Sequence, residues 1–188
     1  MLGNTLPYND YHVKLKESWS KFILSFPDPW QWWAGLTFPS ERHFIHPETA
    51  DKKFRMWLHL LNQETFGKKY YKHNEKGVIV IRANERQKNG NLHYHALIAK
   101  VPDRVSRTKY FKIWNELAGV CKIEDAKKPG AIANYITKTC YMFKAGEIDI
   151  IGPVDKDQMH IYEPGARWTP TINEIRGVHE KLRSEGRI

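Results

Sequence analysis

The chain has little cysteine, no long apolar run and no nucleotide-binding loop, and each shortage excludes a class of protein. Its two cysteines, Cys121 and Cys140, stand far apart with no partner pair at metal spacing. That excludes a disulfide framework and a zinc knuckle and suits a reducing cytoplasm. No stretch approaches the about 18 uninterrupted apolar residues of a membrane helix, and Met1 to Asp10 lacks the basic-then-apolar pattern of a signal peptide. A cytoplasmic protein with no membrane partner is expected, in the cytoplasm of the host if the gene is viral or plasmid-borne. There is no internal repeat and no Gly-x-x-x-x-Gly-Lys-Ser/Thr loop. With 188 residues and 41% hydrophobic content, the chain can fill one core but not comfortably two. One domain over 1–188 is expected, with a core of about 30–145 and a C-terminal extension of about 146–188.

The formal charge of +9 is unevenly placed. Residues 52–144 carry 20 Lys and Arg against 7 Asp and Glu, a net of +13, whereas residues 1–51 and 145–188 each come to −2. Clustered positive charge raises the local concentration of polyanions and releases counterions when phosphates bind. A nucleic-acid partner follows, with a merely solubilising basic face as the plainer alternative.

Hydrophobic spacing gives the order of elements. Leu15, Trp19, Phe22, Ile23 and Phe26 recur at helical spacing and stop at Pro27. Residues 32–38 read as a strand, and Pro47 to Phe66 as a helix with Phe54, Trp57, Leu58 and Leu61 on one face and Gly67 as its stop. Val78 to Glu85 and Leu92 to Ala99 form a hairpin around Asn89-Gly90, and Ser106 caps a helix that ends near Gly119. Val120 to Glu124 alternates as a strand, a helix starts near Pro129, and Thr169-Pro170 opens a last helix. Apart from the first helix, the order is the βαββαβ of an α+β, ferredoxin-like fold with an antiparallel sheet. Helices covering one face would leave the other as an open platform.

His93 and His95 flank Tyr94, so their side chains leave the strand on one side, the spacing at which two imidazoles share a metal ion. In a chain with nine histidines such a pair also arises by chance. Glu85 ends the partner strand, and its direction depends on register. A three-residue loop, Asn89 to Asn91, pairs Glu85 with His95, whereas a two-residue Asn-Gly turn brings Asn84 and Arg86 to the histidines instead. Two imidazoles and a carboxylate, with positions open to water or phosphate oxygens, suit Mn²⁺ or Mg²⁺ in phosphoryl chemistry, and zinc less well.

Tyr135 and Lys138 are three residues apart on the helix that starts near Pro129. A phenol titrates near 10 in water, so a nucleophilic tyrosine needs a neighbouring cation, which Lys138 could supply. In isolation the pair reads equally as one core tyrosine and one surface charge. Arg82, Arg86 and Lys88 on the hairpin are candidates to hold phosphates. Trp30, Trp32 and Trp33 are chiefly core candidates, with base stacking as the alternative. His43 and His46 lack a third ligand.

Gly35-Leu36-Thr37-Phe38, then Glu85 with His93-Tyr94-His95, then Tyr135-Ile136-Thr137-Lys138 follow one another in an order that resembles the HUH endonucleases. The resemblance is narrower still to single-tyrosine replication initiators (Rep) of plasmids and viruses, and it spans about residues 32–143. It implies Glu85, His93 and His95 as metal ligands, Tyr135 as nucleophile and Lys138 as its charged helper. It also implies an enzyme that nicks single-stranded origin DNA, hairpins included, through a 5′-phosphotyrosine link, with a separate helicase. Tyr94 departs from the aliphatic residue common between the histidines, and an outward strand face would accommodate it. Tyr141, six positions on and about 120° around the helix, is a substitute nucleophile rather than a partner. An HUH transposase or relaxase would use the same residues, and a noncatalytic nucleic-acid-binding module would use none of them.

Overall fold

Trp32, Ala34, Leu36 and Phe38 alternate with Trp33, Gly35 and Thr37 along the first strand, and this alternation gives the sheet two unlike faces. The computed structural model describes residues 8–38, 45–87, 90–137 and 148–154. Within them the chain runs α1 (Tyr8–Ser25), β1 (Trp30–Thr37), α2 (Pro47–Phe66), a short 3₁₀ turn (Tyr70–Lys72), β2 (Ile79–Arg86), β3 (Leu92–Ala99), α3 (Arg107–Leu117), β4 (Val120–Asp125), α4 (Pro129–Ile136) and β5 (Ile148–Ile151). The strands pair antiparallel in the order β4-β1-β3-β2-β5. Elements β1 to β4 with α2 and α3 follow the βαββαβ order expected from the sequence, compatible with a ferredoxin-like core. Strand β5 is an addition the sequence did not announce. The last helix expected near Thr169 lies outside the described residues.

Local chemistry explains the element boundaries. Helix α2 opens with Pro47, whose missing N–H would be unpaired there anyway. It closes at Gly67, which adopts φ +92° and donates its N–H to Gln63 O. The Ser106 hydroxyl accepts the Lys109 N–H at 3.4 Å, as a cap for α3. In the β2–β3 hairpin, Gln87 donates to Asn91 O at 2.9 Å, and Gly90 turns the chain at φ +85°. No described helix is long and apolar enough to cross a membrane.

The two faces are buried by different helices. On one, Phe54, Trp57 and Leu61 of α2 and Tyr110 and Trp114 of α3 pack on Ala34, Leu36, Val80, Tyr94 and Ile98. Each large side chain fully buried there contributes roughly 1.5–3 kcal/mol. On the other, Trp19, Phe22, Ile23 and Phe26 of α1, with Ala133 and Ile136 of α4, cover Ile79, Ile81, Ala83, Leu97 and Ala99. The platform expected to stand open is therefore half roofed. It stays accessible toward β4 and the ends of β2 and β3, where the histidines lie. Tyr94 also corrects the expectation of an outward ring: it is 2% exposed and packs edge-on against Phe38 and Phe54.

Candidate active site

Register brings the polar residues together on the roofed face. Glu85 lies directly opposite His93 and Ala83 opposite His95, so Glu85, His93 and His95 share one side of the β2–β3 ladder. The hairpin link is odd, which turns Glu85 toward the histidines, but it is centred one residue earlier than Asn89 to Asn91. Glu85 therefore opposes His93 rather than His95. Its carboxylate still reaches diagonally, with Oε2 2.9 Å from His95 Nε2. On the other side of β3, Thr37 opposes His93 and Gly35 opposes His95. The Thr37 hydroxyl lies 2.7 Å from His93 Nδ1.

Aromatic contacts then fix His95 and bring in the tyrosine. Trp33 stacks on the His95 ring at 5.3 Å and 5°, and the two imidazoles meet edge to face at 4.3 Å. Tyr135, on α4, points its ring edge-on at His95, with centroids 4.7 Å apart, and also meets Trp33 at 5.8 Å. Ala133 and Ile136, buried against α1 and the sheet, anchor that helix while Tyr135 itself is 43% exposed. These residues line an open cavity of about 480 Å³ that runs to β4, with Lys122 and Glu124 at its rim. The cavity thus offers a stacked imidazole and an accessible phenol in one place, with Lys122 as a nearby cation.

The hairpin arginines fall elsewhere. Arg82 was expected to hold phosphates, yet it pairs with Ala96 on the opposite face and is 4% exposed. Its Nη1 donates to Asp51 at 2.7 Å and its Nη2 to Asp149 at 2.5 Å. The guanidinium also lies over the rings of Tyr94 and Phe54 at 4.5 and 4.8 Å. Burial opposes its charge, but the two carboxylates prevail and hold its pKa above the ordinary value. Arg86 shares that strand parity and is exposed, bonding Gly90 O, so it too points away from the histidines. Lys88, Lys138, Tyr141 and His43 lie outside the described residues. Of the tryptophans, Trp32 is core, Trp30 packs on Phe26 and donates to Ile23 O, and Trp33 alone reaches the cavity.

Among the described residues, no three His, Cys, Asp or Glu side chains form a ready-made metal cluster. The donor chemistry nevertheless fits a divalent cation: two imidazoles and one carboxylate share a face beside an open cavity. The 2.9 Å between Glu85 Oε2 and His95 Nε2 is a hydrogen-bond length. It is also the separation of two neighbouring ligands that each stand about 2.1 Å from one octahedral ion. A Cβ built on Gly35 would stand 3.5 Å from His93 Nε2, so the glycine keeps that nitrogen's approach clear. Thr37, Gly35 and Trp33 were missed as site residues. Their parity relative to β3 depends on strand pairing that the sequence alone does not state.

Fold and site together define an α+β domain with a histidine, carboxylate and tyrosine site at the open end of an antiparallel sheet. The chain belongs to the replication-associated protein ORF2 family, whose model matches residues 31–140, and its role is accordingly in replication. Neither a search of curated proteins nor one of solved structures gave a match.

Proposed function

We propose that this protein initiates replication as a single-tyrosine HUH endonuclease, nicking single-stranded origin DNA and remaining joined to the 5′ end. The observation that supports this best is the Tyr135 ring set edge-on to His95 at 4.7 Å, on the face that also holds His93 and Glu85. In the reaction the Tyr135 oxygen attacks phosphorus in line. A tyrosine O–P bond forms and the bond to the 3′ oxygen breaks. The phenolic proton leaves Tyr135, and the departing oxygen ends as a 3′ hydroxyl. Because the link stores the phosphodiester bond, a later 3′ hydroxyl can reverse the step without ATP.

Mn²⁺ or Mg²⁺ held by Glu85, His93 and His95 would supply positive charge to the phosphate oxygens. The chain's own residues do the rest. Trp33 and Glu85 hold the His95 ring from its face and its Nε2 edge. Lys122 at the cavity rim attracts the phosphate backbone. Lys138, three residues beyond Tyr135 in sequence, favours the phenolate. Strand opening would fall to a separate helicase.

The test is incubation with Mn²⁺ and end-labelled single-stranded or hairpin oligonucleotides from candidate origins. A label that migrates with the protein on a denaturing gel, and that is lost with Tyr135→Phe or EDTA, is the expected result. An adduct that survives Tyr135→Phe would reassign the nucleophile. DNA binding with no nick under any metal would make the chain a noncatalytic binding module.

A further inference from the structure

The Thr37 hydroxyl and His93 Nδ1 are joined at 2.7 Å, and the two residues are direct cross-strand partners. Thr37 also pairs with Val120 of β4, so its backbone is held by ladders on both sides. A β-branched side chain on such a strand has few rotamers to choose from. The hydroxyl is thus placed by the sheet, not by a loop. It meets only one of the two imidazole nitrogens. The other, Nε2, lies on the Gly35 side, where a Cβ would come within 3.5 Å of it.

We infer that Thr37 is a positioning residue that accepts the Nδ1–H of His93 and so fixes the imidazole as the tautomer whose lone pair sits on Nε2. The inference rests on the reading of His93 as a metal ligand. An unconstrained neutral imidazole favours the other tautomer, with its proton on Nε2, and that nitrogen then has no lone pair for a cation. Which nitrogen is protonated is set by the hydrogen bond the other one makes. A hydroxyl that accepts at Nδ1 reverses the preference and also fixes the ring plane. This is the outer-shell task usually given to a carboxylate or a carbonyl beside a ligating histidine. It gives the Gly-Leu-Thr segment of β1 a chemical purpose: glycine clears the approach to Nε2, and threonine sets the proton on Nδ1.

The full chain is compared with Thr37→Val, which keeps the shape and loses the hydroxyl, and Thr37→Ser, which keeps the hydroxyl. Long-range proton–nitrogen correlation spectra of the metal-free proteins, above the imidazole titration, report the His93 tautomer, with His93→Gln for assignment. Titration calorimetry reports Mn²⁺ affinity, and circular dichroism confirms folding. Wild type and Thr37→Ser should carry the proton on Nδ1, and Thr37→Val should move it to Nε2. Mn²⁺ affinity should fall roughly 10- to 100-fold in Thr37→Val and recover in Thr37→Ser. A wild-type His93 protonated on Nε2, or a folded Thr37→Val that binds Mn²⁺ like wild type, overturns the role of Thr37 alone. Wild-type protein that binds no Mn²⁺ overturns the metal reading beneath it.

Discussion

Replacing Arg82 should unfold the protein more readily without touching its recognition of DNA. The substitution Arg82→Met keeps much of the volume and the apolar stem but removes the guanidinium that ties Asp51 of α2 to Asp149 of β5. Removing one partner of a buried ion pair costs about 3–5 kcal/mol, because the charges left behind have lost their compensation. Here the lower end applies, since the Asp51 and Asp149 side chains keep 30% and 38% of their exposure and can recover water. At 2–4 °C per kcal/mol for a chain of this size, about 3 kcal/mol lowers the melting temperature by roughly 6–12 °C. Adding Asp51→Asn and Asp149→Asn to Arg82→Met should restore part of that loss, since no orphaned carboxylate remains. Arg86→Ala, at an exposed position, should shift melting by no more than about 0.5 kcal/mol. Thermal unfolding and fluorescence-anisotropy titration of a single-stranded oligonucleotide separate the two effects. An Arg82→Met protein that melts like wild type but binds DNA more weakly would refute the structural assignment.

Two further outcomes follow from the site and from the acidic groups that brace it. Gly35→Ala places a methyl 3.5 Å from His93 Nε2. Melting should stay the same or rise, since alanine is the better strand residue by about 0.5–1 kcal/mol, while nicking falls by about tenfold or more; wild-type nicking would show that Nε2 needs no open approach. For pH, burial tends to raise Asp51, but its bonds to Arg55 and Arg82 win and hold it below its usual 3.8. Lys109, against a smaller burial effect, and Tyr110 likewise hold Glu64 below its usual 4.5. Folded values depressed in this way give stability that is present above about pH 4.5 and lost as pH falls through the folded pKa. Urea midpoints should be level from about pH 7 to 5 and drop below about 4, with a shallower drop in Asp51→Asn. A slope unchanged by Asp51→Asn would remove this group from the account.

Helix α2 was legible to its ends because proline and glycine mark both boundaries and Phe54, Trp57 and Leu61 mark its buried face. The parity of Glu85 was legible as a condition on the loop, and the structure meets it with a loop one residue earlier than expected. Arg82 was misread because local charge was weighed before strand alternation: a residue three positions from Glu85 must face the other way. Its second carboxylate, Asp149, lies 67 residues on, in a four-residue edge strand too short to carry a pattern of its own. Trp33 was ambiguous for a similar reason. It sits between two core residues of β1, and only pairing with β3 shows that its face carries His95 instead of Trp114.

The position of the tyrosine depends on an element outside both the βαββαβ order and the matched family region. Helix α1 ends at Ser25, before residue 31 where the family match begins. Yet it packs along α4, with Phe22 and Ile23 in the cluster that buries Ala133 and Ile136. Ser20 meets the Thr137 hydroxyl at 3.3 Å, just past Tyr135. Thr137 in turn donates back to Ala133 O at 2.7 Å, so its side chain is turned inward. Residues 133, 136 and 137 thus face α1 and the sheet while 135 faces the cavity, which is the division that 3.6-residue periodicity requires of a helix buried along one stripe. The roof over half the sheet is therefore what points the phenol at His95. A fully open platform would leave α4 without the apolar surface that sets its rotation.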